Sequence, residues 1–191
     1  MSLADIIGQE KAVGMLTGIL ERQRLAGSYI FSGEPGTGKK LTALNFAKAL
    51  NCLNYRNALS VMRDGISKKN PALSTDIDKN SPIPPLEKGG RFDACDKCES
   101  CLKIEAGSHP DLKLISPEDR LIKIDEIRLI DEALSFRPFE GRKKVVIVDD
   151  ADTMNIAAAN AFLKTLEEPP EDSVILLISS RPDRLPATIR S

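Results

Sequence analysis

The chain has 191 residues, 41% hydrophobic and 29% charged, with a formal net charge of −1. That length accommodates one good-sized core, or a core with a small appendage. The near-zero charge excludes a globally basic nucleic-acid binder, and no apolar run approaches membrane-spanning length. The N-terminus, Met1-Ser2-Leu3-Ala4-Asp5, lacks a basic segment followed by an apolar one. A cytoplasmic location is therefore expected, and the four cysteines read as metal ligands rather than disulfides.

Residues 9–25 place Val13, Leu16, Ile19 and Leu20 at helical spacing, with Gly27 as the expected stop. Ile6-Ile7-Gly8-Gln9 before them reads as a lead-in loop. An apolar strand, Tyr29-Ile30-Phe31-Ser32, then runs into Gly33-Glu34-Pro35-Gly36-Thr37-Gly38-Lys39-Lys40. A strand, a glycine-rich turn and a helix in that order make the phosphate-binding loop of nucleoside triphosphatases. The glycines let backbone N–H groups point inward as an anion nest, the helix adds its positive end, and Lys39 supplies a point charge. Gly33, Gly36, Thr37, Gly38, Lys39 and Lys40 are thus the candidate nucleotide-binding residues. One position departs from the pattern. The residue after the lysine should be Ser or Thr, whose hydroxyl holds magnesium, and here it is Lys40. Thr42 lies two residues on and faces elsewhere on a helix. ATP with magnesium is therefore a doubtful cofactor, and a glycine-rich turn without nucleotide is the plainer alternative.

The helix after the loop is expected over 39–51, with Leu41, Leu44, Ala47 and Leu50 on its buried face. From 53 to 93 the chain is polar and aperiodic, with Pro71, Pro82, Pro84, Pro85, Gly89 and Gly90, and reads as an exposed insertion with a helical turn at 57–62. It ends at Cys95-Asp96-Lys97-Cys98-Glu99-Ser100-Cys101. Two overlapping C-x-x-C pairs bring three thiolates to one ion, and Cys52 can be the fourth ligand if the insertion loops out. A four-thiolate structural zinc site would close a module over 52–101 and leave no open position for catalysis. Reduced, unbound cysteines or a redox pair are the alternatives. His109, the only histidine, reads as a structural loop residue.

Residues 111–116 alternate, with Leu112 and Leu114 on one face, and predict a strand. Asp125 is the expected cap of a helix striped by Ile127, Ile130 and Leu134. Val145-Val146-Ile147-Val148 is the run of a strand buried on both faces, and Asp149 and Asp150 follow at its C-terminal end, where α/β sheets place ligands. In a nucleotide hydrolase Asp149 would hold magnesium and the next acid would polarise water; that acid is normally Glu, and Asp150 is one methylene shorter. Asn155 caps a helix carrying Ala158, Phe162 and Leu166, which Pro169-Pro170 ends. A last apolar strand, 174–178, leads to Ser179-Ser180 at the same edge. The alternation predicts an α/β fold, a parallel sheet with helices on both faces.

The glycine loop, the cysteine cluster and Asn160-Ala161-Phe162-Leu163-Lys164-Thr165-Leu166-Glu167-Glu168-Pro169-Pro170 resemble the AAA+ subunits of the bacterial replicative clamp loader. The resemblance covers nearly all of the chain except the insertion. Lys40, the run Asp149-Asp150-Ala151-Asp152, and His109-Pro110-Asp111-Leu112 with Ile122-Lys123-Ile124-Asp125-Glu126-Ile127-Arg128 are closer to the delta-prime type than to the gamma/tau motor type. It implies a P-loop NTPase (AAA+, RecA-like) domain over 1–191 with a small zinc-binding insertion, in a DNA polymerase III assembly. There a stator-like subunit sits in a pentameric ring with delta and gamma/tau subunits, and the ring places the sliding clamp on primed DNA. The resemblance assigns Gly36, Gly38 and Lys39 to the phosphate loop, Asp149 to the metal side, Ser180 to sensing the terminal phosphate and Gly8-Gln9 to flanking the adenine. Family members have a shorter spacer after the first cysteine, so the long insertion is a departure. An arginine finger, a lid and a collar domain would follow Ser191, so an N-terminal fragment is expected. A competent gamma/tau-like ATPase is the alternative reading. A zinc-dependent nucleic-acid module is disfavoured by Asp96 and Glu99 among its cysteines.

Overall fold

The computed structural model describes residues 1–54, 93–117 and 121–190. Its centre is a sheet of four parallel strands, β1 (Ser28–Ser32), β2 (Leu112–Ile115), β3 (Lys144–Val148) and β4 (Ser173–Ser179), in the order β1-β4-β3-β2. Pairing sets Ser28 opposite Ile175, Lys144 opposite Ser173 and Leu112 opposite Val145. Strand side chains alternate between the two faces, so two cores form. Val145, Ile147, Val174, Leu176 and Ile178 pack with Leu16 and Leu20 of α1 (Glu10–Arg22) and Phe46, Ala47 and Leu50 of α2 (Lys39–Asn51). Val146, Val148, Ile175 and Leu177 meet Ile127, Ile130 and Leu134 of α4 (Ile124–Leu134) and Ala158 and Phe162 of α5 (Ile156–Glu167). Covered on both faces, β3 and β4 carry the continuous apolar runs that such strands require. The rings of Phe46 and Phe162 are fully buried, one in each core, and each contributes about 2–3 kcal/mol by leaving water. The α3 helix (Glu99–Glu105) carries Cys101 and packs on α2.

Several local expectations are corrected. The α1 helix ends at Arg22, where Gln23 turns left-handed, five residues before Gly27, which leads into β1. Gly27 has a different task. A Cβ there would fall 2.1 Å from Cγ of Pro169, so only glycine lets that proline close over the start of β1. On α2 the buried face is Ala43, Phe46, Ala47 and Leu50, while Leu41 is 39% exposed. The second half of α2 is buried all round, because α3 covers the side turned away from the sheet. In β2 only Ile115 is fully buried and Leu114 is exposed, as befits an edge strand. Lys123, not Asp125, occupies the cap position of α4, and Glu126 reaches back to accept the Lys123 N–H. Asn155 does cap α5, accepting the Ala158 N–H at 2.8 Å. The insertion proper and its suggested helical turn at 57–62 lie outside the described residues. Among those residues no helix is long and apolar enough to cross a membrane.

Candidate functional site

Parallel strands end together, so the loops after β1, β3 and β4 meet at one edge of the sheet. The turn after β1 needs left-handed backbone at two positions, and glycine supplies both: φ is 78° at Gly36 and 83° at Gly38. Gly38 is the residue preceding α2, whose first two residues are Lys39 and Lys40. Thr37 closes the turn by donating from Oγ1 to the Glu34 carbonyl at 2.9 Å, and Gln9 Nε2 donates to the Thr37 carbonyl at 2.7 Å. The lead-in segment before α1 is thereby tied to the glycine loop. Beside the loop lies a cleft of about 380 Å³, whose lining includes Gln9, Ala12, Met15, Tyr29, Thr37 and Lys39.

The structure brings the predicted residues of three loops together. Lys39 Nζ donates to the carbonyls of Gly33 and Glu34 at 2.8 and 2.7 Å and reaches Ser180 Oγ, after β4, at 3.3 Å. Lys40 Nζ lies 3.0 Å from Asp149 Oδ2, after β3. The other Asp149 oxygen accepts the Asp150 N–H at 3.2 Å. Asp150 is itself held in left-handed backbone, φ 47°. Burial, followed by the neighbouring Asp149 and Asp152 carboxylates, raises its carboxyl above the ordinary range, against the pull of Lys39 and Lys40. Thr42 donates to the Gly38 carbonyl within its own helix and is buried, so its hydroxyl is turned from the edge. The donor set does not fit magnesium: an ammonium stands where the ligand hydroxyl is needed, and it already holds the acid.

Sequence reasoning missed Asp152. Its Oδ1 accepts from Ser179 Oγ at 2.7 Å and from the Ser180 N–H at 3.1 Å, which fixes Ser180 against Lys39. The signal was the third acid in Asp149-Asp150-Ala151-Asp152, readable only once β3 and β4 are known to be neighbours.

A second cluster lies at the far end of α2. The sulfurs of Cys52, Cys95, Cys98 and Cys101 are all within 4.8 Å of one another. Tetrahedral thiolates around a zinc ion stand about 3.8 Å apart, given the Zn–S length, so the four fit one such ion with little adjustment. The Cys98 N–H points at Cys95 Sγ at 3.3 Å. The Cys52 thiol, then burial, push the Cys101 thiol far up, and burial raises that of Cys95. Four packed thiolates repel one another, and a divalent cation is the group that relieves this. Cys52, which rested on the insertion looping out, does meet the other three. Around the cluster, Lys48 bridges Asp96 at 3.1 Å and Glu105 at 2.8 Å, and Asp93 accepts the Leu3 and Ala4 N–H groups at 3.0 Å each. Neither Lys48 nor Asp93 was singled out from the sequence.

A family model described as DNA polymerase III, delta subunit, matches residues 8–69 and 86–191. The chain belongs to that family. It is 33% identical over 183 residues to a DNA polymerase III subunit delta-prime of Bacillus subtilis, covering 96% of this chain and 45% of the relative. It is also 33% identical over 192 residues to a delta-prime subunit of Pseudomonas aeruginosa, covering 99% and 47%. A tau/gamma subunit of Haemophilus influenzae is 33% identical over 190 residues, covering 100% of this chain but 22% of the relative. The chain thus spans less than half the length of these relatives, and overall identity does not divide the two subunit types. The residues at the sheet edge have to do so.

Proposed function

We propose that this chain is the ATPase-like domain of a delta-prime-type clamp-loader subunit, which acts as a fixed partner rather than a motor. The observation that carries the reading is the Lys40–Asp149 ion pair at 3.0 Å. In a hydrolysing site that acid serves a magnesium ion, and the residue after Lys39 supplies a hydroxyl to the same ion. With both ligands replaced by an internal salt bridge, and with Asp150 too short for the water-polarising role, the edge retains a phosphate cradle (Gly33, Gly36, Thr37, Gly38, Lys39) without the hydrolytic apparatus. Its partners on this reading are delta and gamma/tau subunits, with the sliding clamp and primed DNA reached through the assembly. Cys52, Cys95, Cys98 and Cys101 hold a structural zinc in a module over 52–101. The AAA+ domain occupies 1–191.

The second reading, a competent gamma/tau-like ATPase, draws on the tau/gamma relatives and on Ser180 meeting Lys39. Phosphate release by the full chain, alone and with primed DNA, separates the two. Release indistinguishable from a Lys39→Ala control is expected. Turnover on the order of 1 s⁻¹ or faster, in the range of working enzymes, would overturn the stator reading in favour of the motor.

A further inference from the structure

The Lys40 ammonium has three donors, of which the Asp149 contact uses one. It sits on the first turn of α2 beside Lys39, and its side chain is 45% exposed. It can therefore keep Asp149 and still offer N–H groups to an anion over the glycine turn. We propose that Lys40 stands in for the divalent cation, bridging Asp149 to the phosphate chain, so that this edge takes a nucleoside triphosphate in its metal-free form. This deepens the phosphate-cradle reading and rests on it.

Three observations carry the inference beyond a missing hydroxyl. First, both Asp149 oxygens are engaged within the chain, one by Lys40 and one by the Asp150 N–H. A magnesium ion, which demands near-octahedral oxygen ligands and keeps several waters, would have to displace the lysine from the acid that binds it. Second, the ion pair is partly exposed and by itself holds the lysine only weakly. What disfavours the metal is the resident positive charge beside its place, added to the lost ligand. Third, Lys39 is in turn bound to the Gly33 and Glu34 carbonyls and to Ser180 Oγ. Each cation at the edge thus has a protein partner to leave or share when an anion arrives. A lysine brings one charge where magnesium brings two, so binding is modest in strength.

The test is calorimetric titration of ATP into the full chain, in magnesium-free buffer without chelator and in excess magnesium, for the native sequence, Lys40→Thr and Lys39→Ala. Circular dichroism melts establish that each variant is folded. The native chain is expected to bind equally in the two buffers, to within about threefold, or more weakly with magnesium. Lys40→Thr, which restores the hydroxyl, is expected to gain about tenfold in magnesium, and Lys39→Ala to lose binding. Native binding that tightens about tenfold with magnesium, or a Lys40→Thr variant indifferent to it, overturns the role of Lys40 and leaves the cradle standing. Absence of binding in both buffers, or binding that survives Lys39→Ala, overturns the cradle and this inference with it.

Discussion

His109 is 2% exposed, and both ring nitrogens are committed. Nδ1 accepts the Asp111 N–H at 3.1 Å, which places the proton on Nε2, 3.1 Å from Ser100 Oγ. The ring therefore joins α3 to the start of β2. Burial disfavours the imidazolium and lowers its pKa below 6.5, against the opposing pull of the Glu140 and Asp111 carboxylates. The unfolded chain then binds a proton near pH 6.5 that the folded chain refuses. His109 thus contributes stability that is fully present above that pH and is lost as pH falls toward the depressed value. Denaturant unfolding from pH 7.5 to 5.5 should show a loss of up to about 1.4 kcal/mol per pH unit from this residue. In His109→Gln that part of the slope should vanish, whatever the variant's overall stability; identical slopes would refute it. The structural role of His109 was legible because a lone histidine in a loop is more often structural than catalytic. Its neighbour Asp111 was not legible. Burial raises its carboxyl, but the N–H groups of Phe139, Gly141 and Glu140 outweigh this and hold it below the ordinary range. Those donors come from a turn 28–30 residues away, and nothing in a local pattern points to them.

At the scale of elements, periodicity located every strand of the sheet and the long helices. On α2 it put Ala47 and Leu50 on the buried side but missed that Leu41 is exposed and that the second half is buried all round. Leu41 and Leu44 fall on a plausible stripe. A stripe drawn for one packing surface fails when a helix is gripped on two, and α2 lies between the sheet and α3. Alanines at 43, 47 and 49 are the trace of that confinement, since large side chains would not fit at all three. The same helix closes with Asn51, a polar residue 2% exposed. Its Oδ1 accepts the Arg142 and Lys143 N–H groups at 2.8 and 3.0 Å, and its Nδ2 donates to the Lys143 carbonyl at 2.9 Å. Gly141 lies against it; a Cβ there would come within 2.8 Å of Asn51 Oδ1. Asn51 thus anchors the end of α2 to the strand that carries Asp149. Asn51→Ala leaves two part-buried donors without their acceptor and should cost about 2–4 kcal/mol, read from chemical denaturation. A loss near zero would mean that water replaces the amide. The glycine loop and the cysteine triple were legible because each is local in sequence. The clamp that Lys40, Asp149, Asp152 and Ser180 make around the glycine loop was not, because it depends on strand order.

For the whole molecule, α2 is the shaft that links the two clusters. Lys39 and Lys40 begin it at the ligand edge and Cys52 follows its last turn, about 20 Å away at helical rise. The cysteine end also holds the N-terminal segment: Asp93 takes the Leu3 and Ala4 N–H groups, the Met1 ammonium lies 3.1 Å from Asp96, and buried Lys48 ties Asp96 and Glu105 to α2. A bound zinc would organise all of this at once, because Cys52 comes from α2 and the other ligands from 95–101. The sheet has its own two cores and does not share side chains with the cysteine cluster. Removing the metal should therefore loosen one end of the protein and spare the sheet. Elemental analysis should find one zinc per chain, and Cys101→Ser or a strong chelator should remove it. Loss of about 3 kcal/mol would lower the melting temperature by about 6–12 °C for a chain of this size. Hydrogen exchange should rise over 3–6, 93–105 and the second half of α2, while β3 and β4 keep their protection. Exchange that rises uniformly would instead make the metal a condition for folding the sheet, and a zinc-free native chain would remove the metal from the account.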